Sequence, residues 1–147
     1  MFVMSRLQEF RALRWAEKMI IVRSCVLLPL TALGLRIIGL RRCQRLMATL
    51  SARSGKSLPP DQIGKAAWLV NAAAYHVPYR ASCLERSLVL WFLLRLRGIK
   101  SDLRIGVLNR DHGFTAHAWV EIGGVALNDR PDIADTHAPF SRAIDFI

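Results

Sequence analysis

Hydrophobic positions repeat at helical spacing as far as Gly98 and alternate with polar positions after it. The N-terminal part predicts two helices, roughly Arg6 to Leu28 and Leu30 to Leu50. We expect a bend between them at Pro29, because a proline removes one bond of the backbone ladder. A third helix is predicted through the run IGKAAWLVNAAAY, with Asp61 as its N-cap. Most of the chain before Gly98 is therefore predicted to be helical.

The helix that begins at Cys83 has the best-defined start in the chain. Ser82 and Glu85 are three residues apart, which is the spacing of a capping box with Ser82 as the N-cap. This places Cys83 at the first helical position, and Gly98 marks the end. Apolar residues recur one turn and two turns along this helix, at Leu84, Leu88, Trp91 and Phe92, as in a helix buried on most sides.

The alternating part of the chain predicts three short strands. The first holds Leu103, Ile105 and Val107, and the loop 109–114 leads to a second strand from Thr115 to Ile122. Two glycines, 123 and 124, then turn the chain into a third strand, 125–129. Helices followed by strands indicate the α+β class, with a small antiparallel sheet packed on the Cys83 helix.

Length and composition favour one domain with an appended segment. The chain has 147 residues, of which 52% are hydrophobic, so a largely disordered chain is excluded. The stretch Ser51 to Gln62 gathers Ser, Gly and Pro and is the predicted linker. We therefore divide the sequence into a basic N-terminal helical segment, residues 1–57, and a core, residues 58–147.

Positive charge is concentrated before the linker. Residues 1–60 hold 11 Lys and Arg against two Asp and Glu, whereas residues 61–147 hold ten against nine. Such a basic run is most often a solvated face, and the alternative is a docking surface for an acidic peptide, a partner protein or a membrane. The solvated face is the favoured interpretation from sequence.

The run Met19 to Leu40 is the one stretch that resembles a membrane span. Arg23 and Arg36 interrupt it, and the charge-free part between them, 24–35, is shorter than the ~20 apolar residues that spanning needs. We therefore expect a core or interfacial helix and no secretory signal. The three cysteines form no CxxC pair and no even set, which favours a reducing cytoplasm over a disulfide framework.

Cys83 is the candidate nucleophile. In the first turn of a helix, free backbone N–H groups and the positive end of the helix dipole favour a thiolate and can stabilise the oxyanion formed when a carbonyl is attacked. The alternative for any single cysteine is a small buried residue, which is the expectation for Cys25. Cys43 lies among arginines but has no predicted helix start.

His117 is the candidate base, because a thiolate mechanism needs a histidine to carry protons and a carboxylate to orient it. It is predicted to lie within a strand, where a rigid element can direct it. His76, His112 and His137 fall at a helix end, in a loop and in an irregular tail, and each is expected to be a surface or capping residue. A lone strand histidine is more often structural, so His117 needs a partner.

Asp129 is the candidate orienting carboxylate, and its role depends on the register of the hairpin. A two-residue turn at Gly123 and Gly124 sets Ala118 opposite Asp129 and sends His117 to the other face. A three-residue loop with a glycine bulge sets His117 opposite Asp129. We expect that only the second register makes a triad, with Asp132 and Asp135 as alternative carboxylates.

Metal and nucleotide chemistry have little support in the spacing. Cysteine, histidine and aspartate all bind zinc, but the chain has no HExxH and no CxxC, so a metal site is disfavoured. The glycines are too scattered for a phosphate-binding loop. No cofactor is predicted.

A family resemblance rests on two runs, PYRASCLERSLVLWFLLRLRGIKSDLRIGV and FTAHAWVEIGGVALND. Their motifs CLERSL, LLRLRGI, IGV and AHAWVE resemble, in order and spacing, those of the transglutaminase-like cysteine peptidases that remove leader peptides in bacterial lasso-peptide biosynthesis. The resemblance covers about Ile63 to Asp129 and implies a transglutaminase-like, papain-like core. It also implies Cys83 as nucleophile, His117 as general base and Asp129 as orienting residue, without a metal or another cofactor.

The resemblance further implies substrate contacts and partners. Relatives often carry Trp where this chain has Tyr79, and we expect Tyr79 and Trp119 to bind substrate. Some relatives have a fused leader-recognition domain with strands, and no strand pattern precedes Ile63 here. The implied partners are therefore a precursor peptide, a separate PqqD-like leader-recognition protein and an asparagine-synthetase-like cyclase. The Arg-rich segment is a candidate docking surface for one of them.

The expected function is a cytoplasmic cysteine peptidase that cuts one bond of a ribosomally made precursor through a thioester. An acyltransferase or transglutaminase of the same fold is the enzymatic alternative, and the final acceptor distinguishes the two. A basic protein that binds peptide, nucleic acid or anionic lipid is the alternative from another class, with an affinity that falls steeply with salt. Nucleic acid is disfavoured because aromatic residues are not interleaved with the N-terminal bases.

Overall fold

Among the residues that the structure describes, four long helices precede a four-stranded antiparallel sheet. The computed structural model describes residues 11–52, 59–110, 113–130, 133 and 137–139. The helices are α1 (Trp15–Ile37), α2 (Gly39–Ser51), α3 (Pro60–Ala74) and α4 (Cys83–Leu96), and the strands are β1 (Asp102–Arg110), β2 (Gly113–Ile122), β3 (Val125–Ala126) and β4 (Ala138–Pro139). This order of helices and strands confirms the α+β class.

Helix α4 lies at the centre of the core. Every residue from Ser87 to Leu94 is buried, which confirms the prediction of a helix enclosed on most sides. Helices α1, α2 and α3 pack against it, and β2 and β1 pack on it from the sheet. Leu103 of β1 and Val120 of β2 belong to one hydrophobic cluster with the buried residues of α4. The small sheet thus packs on the Cys83 helix, as the sequence predicted.

The N-terminal helices share this core. Leu28 of α1 and Cys43 and Met47 of α2 belong to the hydrophobic cluster that α3 and α4 build. An ion pair between Glu17 and Lys65 also joins α1 to α3. The predicted boundary at residues 57 and 58 lies outside the described residues, and the segments on either side of it pack as one body.

Helix α1 does not end at Pro29, where the sequence predicted a bend between two helices. The helix runs unbroken through Pro29, and the chain turns after Ile37, where Gly39 has φ +78°. Ser24, Leu28 and Thr31 are buried on both sides of the proline. Packing against the core therefore keeps the helix continuous although one backbone bond is missing.

By length and composition, α1 is the one helix among the described residues that could cross a membrane, and only 17% of its most apolar stretch is buried. One side of α1 nevertheless packs against α3 and α4. The interpretation as a core or interfacial helix remains a prediction.

Helix α3 begins two residues earlier than expected. Pro59 is its N-cap and Pro60 its first residue, so Asp61 lies in the first turn instead of capping it. Proline is suited to the first helical position because the missing N–H would have no partner there. The carboxylate of Asp61 still lies where it favours the helix dipole.

The strands depart from the predicted bounds at three places. The hairpin of β1 and β2 pairs as far as Arg110 with Gly113, so most of the predicted loop 109–114 belongs to the strands. The third strand is confined to Val125–Ala126. A fourth strand, Ala138–Pro139, pairs with β1 and completes the order β3-β2-β1-β4. This last strand brings the chain after residue 133 back beside β1.

Candidate active site

Cys83 occupies the first position of α4, as the capping box predicts. The Ser82 hydroxyl accepts a hydrogen bond from the Glu85 amide at 3.2 Å, and the Glu85 carboxylate accepts one from the Ser82 amide at 3.2 Å. Cys83 is a free thiol of intermediate exposure. Its sulfur is therefore held at the N-terminus of a rigid, buried helix, where the first-turn amides face a ligand.

Cys83 and His117 line one small cleft. Its volume is about 50 Å³, well below the ~300 Å³ of a typical small-molecule site. A cleft of this size cannot enclose a drug-sized molecule, so a ligand bound here would lie across its mouth. Helix α3, helix α4, strand β2 and the segment after β3 supply its lining residues, which are Asn71, Cys83, Arg86, His117, Ala118, Asn128 and Asp129.

His117 contacts Asp129 in the wall of this cleft. The imidazole Nε2 donates to the carboxylate Oδ2, and both side chains are about a quarter exposed. The other carboxylate oxygen, Oδ1, accepts a hydrogen bond from the Arg130 amide at 2.8 Å. With its proton on Nε2, the ring presents Nδ1 as an acceptor. Asp129 thereby sets both the tautomer and the orientation of the imidazole.

The observed hairpin register differs from the one that was predicted to bring His117 and Asp129 together. The turn has two residues and Ile122 pairs with Val125, which is the register expected to separate His117 from Asp129. The contact forms because regular pairing ends at Ala126, so the alternation of faces no longer applies at residue 129. The three-residue loop is absent, and the His117–Asp129 contact does not need it.

Asn128 is where the chain leaves the ladder. Leu127 still donates its amide to the Val120 carbonyl at 2.8 Å. The Val120 amide, however, donates to the side-chain Oδ1 of Asn128, also at 2.8 Å. A side-chain amide thus replaces a backbone carbonyl at the end of the strand pairing. This substitution frees the backbone to bend and brings Asp129 toward His117.

Ser87 ties this bend to the nucleophile helix. The Asn128 amide nitrogen donates to the Ser87 hydroxyl at 2.9 Å, and that hydroxyl donates to the Ala118 carbonyl at 3.0 Å. Ser87 is fully buried and lies one helical turn after Cys83. The network therefore fixes the helix that carries the sulfur against the strand that carries the imidazole.

Sequence analysis did not identify Ser87 or Asn128. The available signal was weak: Ser87 directly precedes the apolar run LVLWFLL of α4, and a buried hydroxyl needs a partner. Nothing in the sequence names that partner, since Ser87 and Asn128 are 41 residues apart.

Trp119 supports the His117 ring from within the sheet. Its side chain is fully buried, and its indole N–H donates to Glu121 at 2.7 Å. The Trp119 and His117 rings are stacked, with centroids 6.3 Å apart. Trp119 was expected to bind substrate. Its side chain has no exposed surface in this structure, so it supports the His117 ring instead.

His137 lies beside the same rings. Its ring centroid is 5.5 Å from that of His117 and 6.4 Å from that of Trp119. The sequence placed His137 in an irregular tail, and the pairing of β4 with β1 moves it next to the candidate base. Of the remaining candidates, His112, Asp132 and Asp135 lie outside the described residues, and His76 lies just beyond the end of α3.

Gly106 makes room for this group of rings. It pairs with His117 across the sheet. A Cβ built on Gly106 would lie 2.7 Å from the Trp119 ring and 3.0 Å from the His137 Cβ. Any side chain at this position would push against the rings that support His117.

Tyr79 lines a second, larger cavity next to the cleft. The cavity has a volume of about 490 Å³, runs along residues 74–81, and shares Arg86 with the cleft. Burial raises the pKa of Tyr79 to about 12, and the charge of nearby Glu85 contributes to the same shift. The phenol oxygen makes no hydrogen bond of ordinary geometry among the described residues. The phenol thus stays protonated. Its role in substrate binding remains a prediction, and the cavity is large enough for a side chain of a peptide.

Comparison with known proteins identifies the family of the chain. A family model described as the transglutaminase-like superfamily matches residues 25–142. The chain belongs to the transglutaminase-like superfamily. This match spans the linker and includes most of α1 and all of α2, in keeping with the shared core.

One curated relative is similar over part of the chain. The microcin J25-processing protein McjB of Escherichia coli is 40% identical over 57 residues, which are 39% of this chain. The matched part spans about a quarter of McjB, 26% of its length. No solved structure gives a significant match. The superfamily is thus established, and the activity is a matter for proposal.

Proposed function

We propose that this protein is a cysteine peptidase that removes the leader peptide from a ribosomally made lasso-peptide precursor. The observation that carries the proposal is one cleft lined by Cys83 at a helix N-terminus and by His117 in contact with Asp129. A relative named for the processing of microcin J25 supports a peptide precursor as substrate. The motif resemblance to lasso leader peptidases supports the same class.

Each proposed step follows from the position of a side chain. The Cys83 thiolate attacks the scissile carbonyl carbon, and the first-turn amides of α4 stabilise the oxyanion that forms. His117 Nδ1, which has taken the thiol proton, gives it to the leaving amine as the C–N bond breaks. A water molecule, deprotonated by His117, then attacks the thioester and releases the acid. Asp129 stabilises the imidazolium throughout.

The proposed partners follow from the resemblance. A precursor peptide lies across the cleft, a PqqD-like leader-recognition protein delivers it, and an asparagine-synthetase-like cyclase takes the freed core peptide. We place these steps in the cytoplasm, where the free thiols Cys25, Cys43 and Cys83 stay reduced.

The test is cleavage of a candidate precursor by the purified chain, with and without a leader-recognition protein, followed by mass spectrometry. We expect two products that add up to the precursor plus one water. Cys83→Ala should abolish cleavage. The matched control is Cys43→Ala, which removes a buried thiol outside the cleft and should retain cleavage.

The same experiment tests the alternative acceptor. An acyltransferase of this superfamily uses the same thioester but passes the acyl group to an amine. Added amine would then appear in the product as a new amide at the expense of the free acid. Undiminished cleavage by Cys83→Ala would remove the nucleophile assignment altogether.

A further inference from the structure

Helix α1 packs one face on the core and leaves an apolar face exposed on the opposite side. Its inner face packs on the core through Ser24, Leu28 and Thr31. Its outer face carries large apolar side chains that are between 49% and 78% exposed: Trp15 78%, Val22 49%, Val26 55%, Leu30 57%, Leu33 54% and Ile37 70%. A surface helix of a globular protein normally turns charged and polar residues outward. We call this row of six residues the outer stripe.

The outer stripe runs straight along the helix. Trp15, Val26 and Ile37 are separated by 11 residues, and so are Val22 and Leu33. Eleven residues make about three turns at ~3.67 residues per turn, close to the ~3.6 of the helix itself. The stripe is therefore a line ~33 Å long that faces one direction. Trp15 and Val22, Val26 and Leu33, and Leu30 and Ile37 are also seven residues apart, so the spacing alone fits either a flat surface or a partner helix, and the charge beside the stripe has to decide between them.

Basic residues border the stripe on both sides. On the helical wheel, Arg23 lies along one edge, and Lys18 and Arg36 lie along the other. The one acidic residue of α1, Glu17, lies on the inner side, where it pairs with Lys65 of α3. The outer face of α1 therefore has positive charge and no negative charge.

Helix α2 continues the same character. Leu46 and Leu50 are exposed at 53% and 62%. Exposed arginines lie beside them at positions 41, 42 and 45, and the helix contains no acid. Exposed apolar and cationic side chains thus occur together over both N-terminal helices.

We propose that the outer stripe of α1 docks the protein on the surface of an anionic lipid bilayer. The apolar row enters the boundary of the acyl chains, and the bordering arginines stay at the level of the phosphates, as in helices that lie in a membrane interface. Trp15 at one end is a residue type enriched at that depth. None of the cleft residues belongs to α1. The proposal does not depend on the proposed peptidase activity.

The test is co-sedimentation of the full chain with vesicles. Vesicles of phosphatidylcholine mixed with phosphatidylglycerol should bind the protein, pure phosphatidylcholine should bind it far less, and added salt should weaken the binding. The triple variant V26Q/L30Q/L33Q should lower the affinity at least tenfold. R23E/R36E should also lower it on anionic vesicles. Because all five side chains are exposed, both variants should keep the circular dichroism spectrum of the parent chain.

The matched control replaces exposed apolar residues elsewhere. Trp68 and Val125 are 61% and 56% exposed and lie outside α1. W68Q/V125Q should bind vesicles as the parent chain does. Trp15 supplies a second readout, since its emission should shift to the blue on anionic vesicles, and Trp15→Phe should remove that shift.

Three results would overturn the proposal. Equal vesicle binding by the parent and V26Q/L30Q/L33Q would show that the stripe is not the contact. A parent dimer in light scattering that V26Q/L30Q/L33Q converts to a monomer, without vesicle binding, would identify a second copy or another protein as the occupant. Resistance of the bound protein to alkaline extraction would indicate a spanning helix instead of a surface contact.

Discussion

The imidazole Nε2 of His117 contacts the carboxylate Oδ2 of Asp129, although the hairpin register sets Ala118, not His117, on the line of Asp129. The contact depends on where pairing stops. Two residues before Asp129 the chain still pairs with β2, and at Asn128 it bends away. The Asp129 carboxylate therefore reaches His117 because strand pairing stops before residue 129, not because of regular strand geometry.

This contact predicts a strong effect of a small change at Asp129. Asp129→Asn keeps the shape but replaces a charged acceptor, so the imidazole loses its preferred tautomer and the imidazolium loses its counter-charge. We expect kcat for precursor cleavage to fall by about 100-fold or more, with little change in KM or in the melting temperature. Steady-state kinetics and thermal unfolding measure the three quantities. Full activity of Asp129→Asn would transfer the orienting role to Asp132 or Asp135.

The Ser87–Asn128 network predicts two positioning residues. Asn128→Ala removes the acceptor of the Val120 amide and the donor to Ser87, and Ser87→Ala removes the donor to the Ala118 carbonyl. Each should cost about 1–3 kcal/mol in the free energy of unfolding, because a buried polar group is left without a partner.

The kinetics separate positioning from mere stability. At a temperature well below unfolding, we expect kcat of both variants to fall more than tenfold while KM changes little, since the sulfur and the imidazole lose their alignment. Ser101→Ala is the matched control, because the Ser101 hydroxyl is buried without a hydrogen-bond partner in the described part of the chain. Unchanged kcat in destabilised Ser87→Ala would assign the network to stability alone.

The three cysteines should differ in their reaction with iodoacetamide. Burial raises the pKa of the Cys25 and Cys43 thiols, so both stay protonated at neutral pH and gain reactivity only above the usual thiol range. Cys83 lies at the helix N-terminus in an open cleft. At pH 7 we expect alkylation at Cys83 first, as located by peptide mass mapping, with Cys83→Ser as the unlabelled control. Prior labelling of Cys25 or Cys43 would contradict this order.

Gly106 should be intolerant of even one methyl group. Gly106→Ala forces a Cβ into the Trp119 ring and against His137, an overpacking that costs about 1–3 kcal/mol in the free energy of unfolding. Because the displaced ring stacks beside His117, kcat should fall as well. The measurements are denaturant unfolding and cleavage rate.

A second glycine supplies the comparison. A Cβ at Gly64, within α3, would meet nothing within 4 Å. Gly64→Ala should therefore be neutral or stabilise the fold by up to about 1 kcal/mol, because it lowers the entropy of the unfolded chain. Equal behaviour of the two alanine variants would show that the space beside Gly106 is not limiting.

Local patterns predicted the helix that begins at Cys83 well, because its start is set by contacts between residues three apart. Ser82 and Glu85 form the predicted capping box, and the apolar run after Cys83 is buried as expected. The prediction that two helices meet at Pro29 was wrong, because contacts between distant parts of the chain decided the outcome. A local preference for a break was outweighed by packing of Leu28 and its neighbours against helices that lie far along the chain.

The cleft residues divide in the same way. His117 was singled out because a strand can direct its side chain, and Asp129 because one register of the hairpin would set it opposite His117. The condition attached to their contact was wrong, since strict alternation of faces was assumed to hold as far as residue 129. Trp119 was misplaced because an aromatic near the histidine has no sequence mark that separates a substrate contact from a buried support.

The amino-acid sequence was sufficient to predict the class of the fold, the helix that starts at Cys83 and the hairpin that carries His117. Those features depend on periodicity, caps and turns, which act over a few residues. Tertiary structure alone decided that Ser87 holds Asn128, that His137 lies beside His117 and that α1 keeps an apolar face outward. Each of these depends on segments brought together by burial of a common core, and no local spacing encodes which distant partner arrives.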